Sequence, residues 1–295
     1  MYNLWWPGSH SGDPGLQGSR MIPHHPVQCF ACLTFAASLS AATVDGIRLH
    51  SAVSGEGPKT VILVHGWTCD DRTWQSQVPE LAKNYRVITL DLPGHGKSGS
   101  PKDGKLSMDL FARAIEAVRQ EAKADRAVLI GHSMGTPVIM QYARLYPEHT
   151  VALVLVDGSV TLPQSVRGKL LSSAKHFAGS LEAREAMIQG MFSSTTTLDV
   201  RKHVLSMITA TSAATAVSAM EAFVDPANWK EDVFSQNALG IYADGTLTAA
   251  DREYMRTRFP KLEYINIPGT GHFLMLEKPT EFNRLLKSFL DKQRF

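Results

Sequence analysis

The chain has few cysteines, little net charge and no long apolar run. Its 3 cysteines in 295 residues are too few for a disulfide framework. Its 30 basic and 28 acidic side chains leave a formal net charge of +2, and no run of Lys and Arg points to nucleic acid. No apolar stretch reaches the roughly 20 residues that span a bilayer. These absences exclude disulfide scaffolds, polyanion-binding proteins and membrane-spanning proteins, and leave a globular protein, with an enzyme among the candidates.

Residues 1–42 differ in composition from the rest of the chain. They carry only two charged side chains and end in the apolar and small run Val27–Ala42. The length of this run and its small-residue end are typical of a secretory signal peptide cleaved near Ala42. We therefore predict an exported protein, or a cytoplasmic one if the segment is only an N-terminal tail. Cys29 and Cys32 form a C-x-x-C within the apolar run, and we interpret that spacing as incidental.

Beyond residue 42, short apolar strands alternate with helical patterns. This alternation is typical of an α/β fold with a mostly parallel, buried sheet and helices on both faces. Residues 158–237 show helical patterns and no convincing strand, so we predict a helical cap inserted into a core of residues 43–157 and 238–295. The predicted strands are Val44–Val53 (an edge strand or hairpin), Thr60–Val64, Tyr85–Leu90, Ala127–Ile130, Val151–Val156, Ala238–Ala243 and Leu262–Ile267.

A G-x-S-x-G pattern at residues 131–135 directly follows one predicted strand and opens a helix. This strand–turn–helix setting is the one that a nucleophile elbow requires. A sharp, strained turn exposes the serine hydroxyl above the sheet, and Gly131 and Gly135 have no Cβ to clash where strand and helix come close. The pattern predicts Ser133 as a nucleophile, against the alternative of a glycine-rich turn with an idle serine.

A nucleophilic serine needs a base, and His272 is the best placed of the 11 histidines. It follows the strand Leu262–Ile267 and a loop with two glycines, and loops after parallel strands are where such sheets gather catalytic groups. His65 is expected to fix loop geometry by hydrogen bonding.

Four segments together resemble the α/β-hydrolase family, in particular serine esterases and lipases with a helical cap. By this resemblance Ser133 is the nucleophile, His272 is the general base, and the backbone N–H groups of Trp67 and Met134 form the oxyanion hole. The segments are HGW (65–67), DLPGHGKS (91–98), GHSMG (131–135) and GHF (271–273) followed by EKP (277–279).

The acid that completes the triad has two candidates. The resemblance places it in the loop after the strand Ala238–Ala243, where Asp244 stands, although Ile241 occupies a position at which the family has glycine. Asp157, at the end of the strand Val151–Val156, is the competitor, and its alternative role is a turn cap. We favour Asp244, with Asp157 second and Asp251 or no acid as the remaining options.

The cap is rich in methionine and aromatic side chains. Methionine adapts to irregular apolar shapes, so these residues predict an apolar acyl or alcohol pocket, although helix packing explains most of them individually. Cys69 is expected to be a small buried residue and not a reactive thiol. The cap residues in question are Met187, Met191, Phe192, Met207, Met220, Phe223 and Trp229.

The predicted function is hydrolysis of a carboxylic ester through an acyl-enzyme with a Ser-His-Asp triad. The same triad also serves lactones, thioesters, amides and carbon–carbon bonds, and a binding or receptor protein with the same capped pocket is the alternative class. We expect a small apolar acyl substrate, no nucleic-acid partner and no cofactor. No metal is expected, because no cluster of His and Cys has ligand spacing. The oligomeric state stays open.

Overall fold

The computed structural model describes residues 38–39 and 42–295, with no side-chain detail at 38, 39, 178 and 179. The predicted signal segment, including Cys29 and Cys32, therefore lies outside the described residues, apart from 38, 39 and Ala42. The prediction of export stays a prediction.

The described strands form one large sheet and one small hairpin. The strands are β1 (Ser38–Leu39), β2 (Thr43–Val44), β3 (Ile47–Arg48), β4 (Ser51–Ser54), β5 (Thr60–Val64), β6 (Arg86–Leu90), β7 (Ala127–His132), β8 (Thr150–Val156), β9 (Asn237–Ala243) and β10 (Leu262–Ile267). The large sheet has the order β1-β4-β6-β5-β7-β8-β9-β10. Strand β4 pairs antiparallel with β1 and with β6, and the remaining pairs, from β6 through β5, β7, β8 and β9 to β10, are parallel. The predicted α/β fold with a mostly parallel sheet is confirmed.

Side chains on the central strands alternate between two apolar clusters, as the period of a β-strand requires. In β5, Ile62 and Val64 face one cluster with α2 and α3, while Val61 and Leu63 face the other with α10. Helices therefore cover both faces, which explains why the strands are apolar throughout. The helices are α1 (Val78–Leu81), α2 (Met108–Glu121), α3 (Gly135–Leu145), α4 (Gln164–Gly179), α5 (Leu181–Gln189), α6 (Leu198–Ala210), α7 (Ala213–Val224), α8 (Ala249–Arg258), α9 (Leu274–Glu277) and α10 (Pro279–Leu290).

The first predicted strand, Val44–Val53, is divided in the structure. Asp45 and Gly46 both have positive φ, 50° and 77°, which is the geometry of a type I′ hairpin turn. The turn joins β2 to β3, and β4 then joins the edge of the main sheet. Both forms of this prediction therefore hold in part: residues 43–48 form the hairpin, for which an Asp-Gly pair is a signal, and Ser51–Ser54 is a strand near the edge of the sheet.

Helices α4 to α7 all lie within residues 158–237 and contact one another. The cap also bonds to the core loop after β5, where the Trp67 indole N–H donates to Ala216 O (2.8 Å) and the Thr211 hydroxyl donates to Thr68 O (2.9 Å). Within the described residues, no single helix is long and apolar enough to cross a membrane, although α6 and α7, bent by 93°, reach that length and composition as a pair.

Candidate active site

Ser133 lies on a strained turn between β7 and α3. Its φ of 54° is in the left-handed region, which is uncommon for a residue with a side chain. Glycine is required on both sides of it: a Cβ at Gly131 would lie 2.3 Å from Gly135 O, and a Cβ at Gly135 would lie 2.6 Å from Val64 O. The close approach of strand, helix and β5 therefore forces the turn that presents Ser133, at the N-terminal end of α3.

His272 pairs with Asp157, the second of the two acid candidates. The distance from His272 Nδ1 to Asp157 Oδ2 is 2.7 Å, and the Ala243 N–H donates to the other carboxylate oxygen at 3.0 Å. Burial alone would raise the pKa of Asp157, but the hydrogen bond and charge attraction from His272 outweigh it and hold that pKa below its usual value. A carboxylate accepts only, so His272 carries its proton on Nδ1 and leaves Nε2 as an acceptor.

The other acid candidates lie elsewhere. Asp244, which the sequence favours, is exposed after β9, and its side chain makes no hydrogen bond or ion pair in the described part of the chain. Asp251 completes the capping box of α8, where its carboxylate accepts from the N–H (2.8 Å) and hydroxyl (2.6 Å) of the N-cap residue Thr248. The structure therefore brings Asp157, and not Asp244, to His272.

Two further contacts hold the backbone of His272. Its N–H donates to Met191 O of the cap at 2.8 Å, and its carbonyl accepts from His132 Nε2 at 2.9 Å. The rings of His132 and His272 lie 4.6 Å apart. Burial, with a smaller effect of His272, lowers the pKa of His132 to about 3 and keeps that imidazole neutral. Sequence reasoning gives His132 no role; its position beside Ser133 on the elbow is the available signal.

The two predicted oxyanion donors flank the elbow. Across residues 42–295, the backbone N–H groups of Trp67 and Met134 donate to no protein acceptor. His65 fixes the first of these loops as predicted: its Nδ1 lies 2.8 Å from Gly66 O, and its Nε2 accepts from the Leu92 N–H at 2.9 Å. Since an N–H can only donate, His65 is neutral with its proton on Nδ1.

The Ser133 hydroxyl makes no hydrogen bond to another described residue. His132 directly precedes Ser133, and its ring contacts the His272 ring. Ser133 and His272, the two predicted catalytic groups, therefore lie on adjoining segments. Catalytic hydrogen bonds are often long before substrate binds and tighten in the complex. The arrangement can therefore supply a nucleophile, a base with a set tautomer and backbone donors.

Two features near these loops have structural explanations. Among the described residues, His50, Asp71 and Asp91 bring possible metal-ligand atoms within 4.8 Å of one another. The Asp91 carboxylate, however, already accepts the N–H groups of Asp71 and Lys97, both at 2.7 Å, and so caps two turns. Cys69 is buried as predicted, and burial raises the pKa of its thiol to about 12.

The apolar cap residues mostly contact the core. Met207 is buried, while Met187, Met191, Phe192 and Phe223 are partly buried against the two apolar clusters. Packing therefore accounts for part of this set, and the predicted acyl pocket stays a proposal.

Comparison with known proteins agrees with this architecture. Residues 59–279 match the α/β-hydrolase fold family, and the chain therefore belongs to that family. It is 37% identical over 122 residues to the dihydrolipoyllysine-residue acetyltransferase component of the acetoin cleaving system of Cupriavidus necator. This aligned region covers 41% of this chain and 32% of that protein. It is 35% identical over 105 residues to the pimeloyl-(acyl-carrier protein) methyl ester esterase of Klebsiella pneumoniae, and the aligned region covers 36% of this chain and 38% of that esterase. The chain thus aligns with about a third of the length of these curated relatives.

A thermophilic esterase from Thermogutta terrifontis, solved with malate bound, has the same fold. Its structure superposes with a TM-score of 0.77 at 24% identity and covers 87% of this chain and 98% of its own. At this identity, the likeness concerns the fold alone.

Proposed function

We propose that the protein hydrolyses carboxylic esters with apolar acyl groups through an acyl-enzyme on Ser133. The observation that carries the proposal is the strained Ser133 elbow beside a His272 imidazole whose Nδ1 is held at 2.7 Å by the buried Asp157. A buried carboxylate bonded to Nδ1 is the pairing that orients an imidazole as a general base.

The proposed reaction starts at His272 Nε2, which takes the proton of the Ser133 hydroxyl as Oγ bonds to the ester carbonyl carbon. The carbonyl oxygen becomes an oxyanion, which the N–H groups of Trp67 and Met134 stabilise. Collapse breaks the bond to the alcohol oxygen, which receives the proton from His272. Water then attacks the acyl-enzyme with His272 again as base, and His272 returns this proton to Ser133 Oγ as the bond to the acyl carbon breaks and the carboxylic acid leaves. Asp157 stabilises the imidazolium at each step.

The substrate class rests on the cap and on the relatives. The partly buried Met191 and Phe192 lie beside the His272 loop, and Met187 is partly buried against the same apolar cluster, so these side chains supply an apolar and adaptable surface. The similarity to a relative named as a methyl ester esterase supports an ester. An uncharged ester with a short or medium acyl chain is therefore the first substrate to test.

The test uses p-nitrophenyl esters from acetate to decanoate with wild type and Ser133→Ala. We expect a burst of p-nitrophenol equal to the enzyme concentration, followed by slower turnover, and labelling of Ser133 by a fluorophosphonate. Ser133→Ala should lose the burst and the label, while the exposed Ser194→Ala should keep both. Saturable binding of an ester without burst, turnover or label would replace the hydrolase proposal by the receptor alternative.

A further inference from the structure

The loop that carries His272 lies against one segment of the cap, Met191–Thr196, between α5 and α6. The His272 N–H donates to Met191 O at 2.8 Å. A Cβ at Gly271 would lie 2.4 Å from Met191 O and 2.6 Å from Ser193 N, so only glycine permits this approach. The backbone of the predicted base is therefore bonded directly to the cap.

One carboxylate, that of Glu277 at the end of α9, joins the two sides of this contact. Its Oε2 accepts from the hydroxyls of Ser193 and Thr196, both at 2.7 Å. The Gly271 N–H donates to the same carboxylate, 3.1 Å from Oε1 and 3.0 Å from Oε2. Hydrogen bonds to a carboxylate are about twice as strong as those between neutral groups. Glu277 thus holds the residue before His272 and the cap segment with one carboxylate, and its Oε2 is shared by both.

The cap segment is in turn tied to α6. The Arg201 guanidinium donates to Ser193 O (2.8 Å) and Thr196 O (3.1 Å), and it lies 4.9 Å from the centre of the Phe192 ring. The segment is therefore held by α6 on one side and by the Glu277 carboxylate on the other.

We propose that Glu277 is a positioning residue through which the docked cap segment sets the place of His272. This inference rests on the proposed esterase function. With the segment docked, the His272 N–H has Met191 O as its acceptor. The cap hydroxyls also fix the Glu277 carboxylate, which accepts from the Gly271 N–H, so the imidazole stays aligned with Asp157. When the segment leaves, the His272 N–H loses its acceptor and the Nδ1 hydrogen bond weakens. Catalytic groups must be held within about 0.5 Å of productive geometry, so the base works only under a docked cap.

The test removes each side of the bridge separately. Glu277→Ala removes both sides, Ser193→Ala with Thr196→Val removes only the cap side, and Glu277→Gln keeps one acceptor oxygen for the Gly271 N–H. Ser194→Ala is the matched control, because its exposed hydroxyl lies in the same segment and makes no hydrogen bond to a described residue. For each variant, kcat, KM and the pH profile of kcat/KM are measured on one p-nitrophenyl ester and normalised to titrated active sites.

We expect kcat per active site to fall about tenfold or more in Glu277→Ala, with KM changed less than about twofold, because misplacing a catalytic group acts on the reaction step. In the Ser193→Ala, Thr196→Val variant, the fall in the logarithm of kcat should be about half as large. Glu277→Gln should recover part of the kcat that Glu277→Ala loses. The variant with all three substitutions should have a kcat no lower than that of Glu277→Ala alone, because the Glu277 change and the two cap-side changes act through one bridge. The acid limb of the pH profile should move to lower pH, because a weaker bond to Asp157 stabilises the imidazolium less.

A role confined to folding would lower the number of titrated sites and leave kcat per site and the pH profile unchanged, which would overturn the inference. Additive losses in the combined variant would overturn it as well. If wild type shows the Ser133 burst and the Glu277 variants match it, only this inference fails. If wild type shows no burst or label, the esterase proposal fails first.

Discussion

Asp157 holds the Nδ1 proton of His272 with a carboxylate that is almost fully buried and also held by the Ala243 N–H. We expect Asp157→Asn to lower kcat about 10³- to 10⁴-fold, because an amide no longer enforces the tautomer that leaves Nε2 free. The exposed Asp244→Asn is the matched control and should keep kcat within about twofold of wild type. Steady-state hydrolysis of a p-nitrophenyl ester measures both. Loss of activity in Asp244→Asn with retention in Asp157→Asn would restore the acid that the sequence favours.

The elbow could be predicted from the sequence and the acid could not, for a geometric reason. Gly131 and Gly135 mark the close approach around Ser133, and they follow an apolar strand. Asp157 and Asp244, by contrast, both end neighbouring parallel strands, whose carboxyl ends meet at one edge of the sheet. Asp157 has a left-handed φ of 44° and its carboxylate meets His272, and no residue pattern in the sequence predicts this conformation or this contact.

Gly66 directly precedes Trp67, whose backbone N–H is one of the two predicted oxyanion donors. A Cβ at this position would lie 3.1 Å from Ser133 Cβ and from His132 Nδ1, closer than most real contacts. We expect Gly66→Ala to shift the Trp67 N–H by a few tenths of an ångström and lower kcat about tenfold, less than complete removal of an oxyanion donor would. KM and the urea midpoint should change little.

The control for this variant is Gly168→Ala in α4, where a Cβ meets nothing within 4 Å. It should keep kcat and slightly stabilise the helix, since alanine is the better helix former by about 1 kcal/mol. An unchanged kcat in Gly66→Ala would show that the loop can shift without affecting the reaction.

Helices α2 and α3 are joined by a buried carboxylate, Glu116. It accepts from Arg119 (2.6 and 2.8 Å), from Gln120 (2.8 Å) on the same helix and from the Tyr142 hydroxyl (2.8 Å) on α3. Burial opposes the charged form, but these donors outweigh it and hold the pKa of Glu116 below its usual value. The network therefore depends on all its members being present, because any member left alone is a buried, unpaired polar group.

We expect Glu116→Leu to lower the free energy of unfolding by about 3 kcal/mol, because it leaves the buried Arg119 charge unpaired. Arg119→Met should do the same, and the double variant should recover most of the loss. Glu80→Ala, at the exposed pair with Lys83, should change stability by less than about 1 kcal/mol. Urea unfolding at neutral pH measures all four. Simple additivity of the two buried substitutions would contradict a coupled pair.

The strands are predicted well because their signal is local and their environment uniform. Thr60–Val64 and Leu262–Ile267 have the predicted bounds, while β7 runs on to His132, past the last apolar residue. A central strand such as β5, which helices cover on both faces, is almost entirely apolar, and this is visible in sequence, whereas β10 lies at the edge of the sheet and is only partly buried. The contacts of the cap depend instead on non-local approaches such as that of Gly271 to Met191, which no short window contains.

Two buried histidines make the stability of the fold depend on pH. Burial lowers the pKa of His95 and of His132 to about 3, against about 6.5 in an unfolded chain. Between these values the unfolded chain binds a proton at each imidazole and the folded protein does not, so stability rises with pH. The contribution is complete above pH 6.5 and falls, by up to about 1.4 kcal/mol per pH unit for each imidazole, as the pH drops toward 3.

We therefore expect the free energy of unfolding in urea to decline steadily from pH 6.5 to about pH 5, above the range in which carboxylates bind protons. His95→Leu should be less stable at neutral pH, because it loses the contact of Nδ1 with Pro93 O, yet its slope against pH should be smaller by about 1.4 kcal/mol per unit. The exposed His176→Asn should keep the wild-type slope. A flat curve for wild type over this range, or equal slopes for wild type and His95→Leu, would show that the imidazole at position 95 is protonated inside the folded protein.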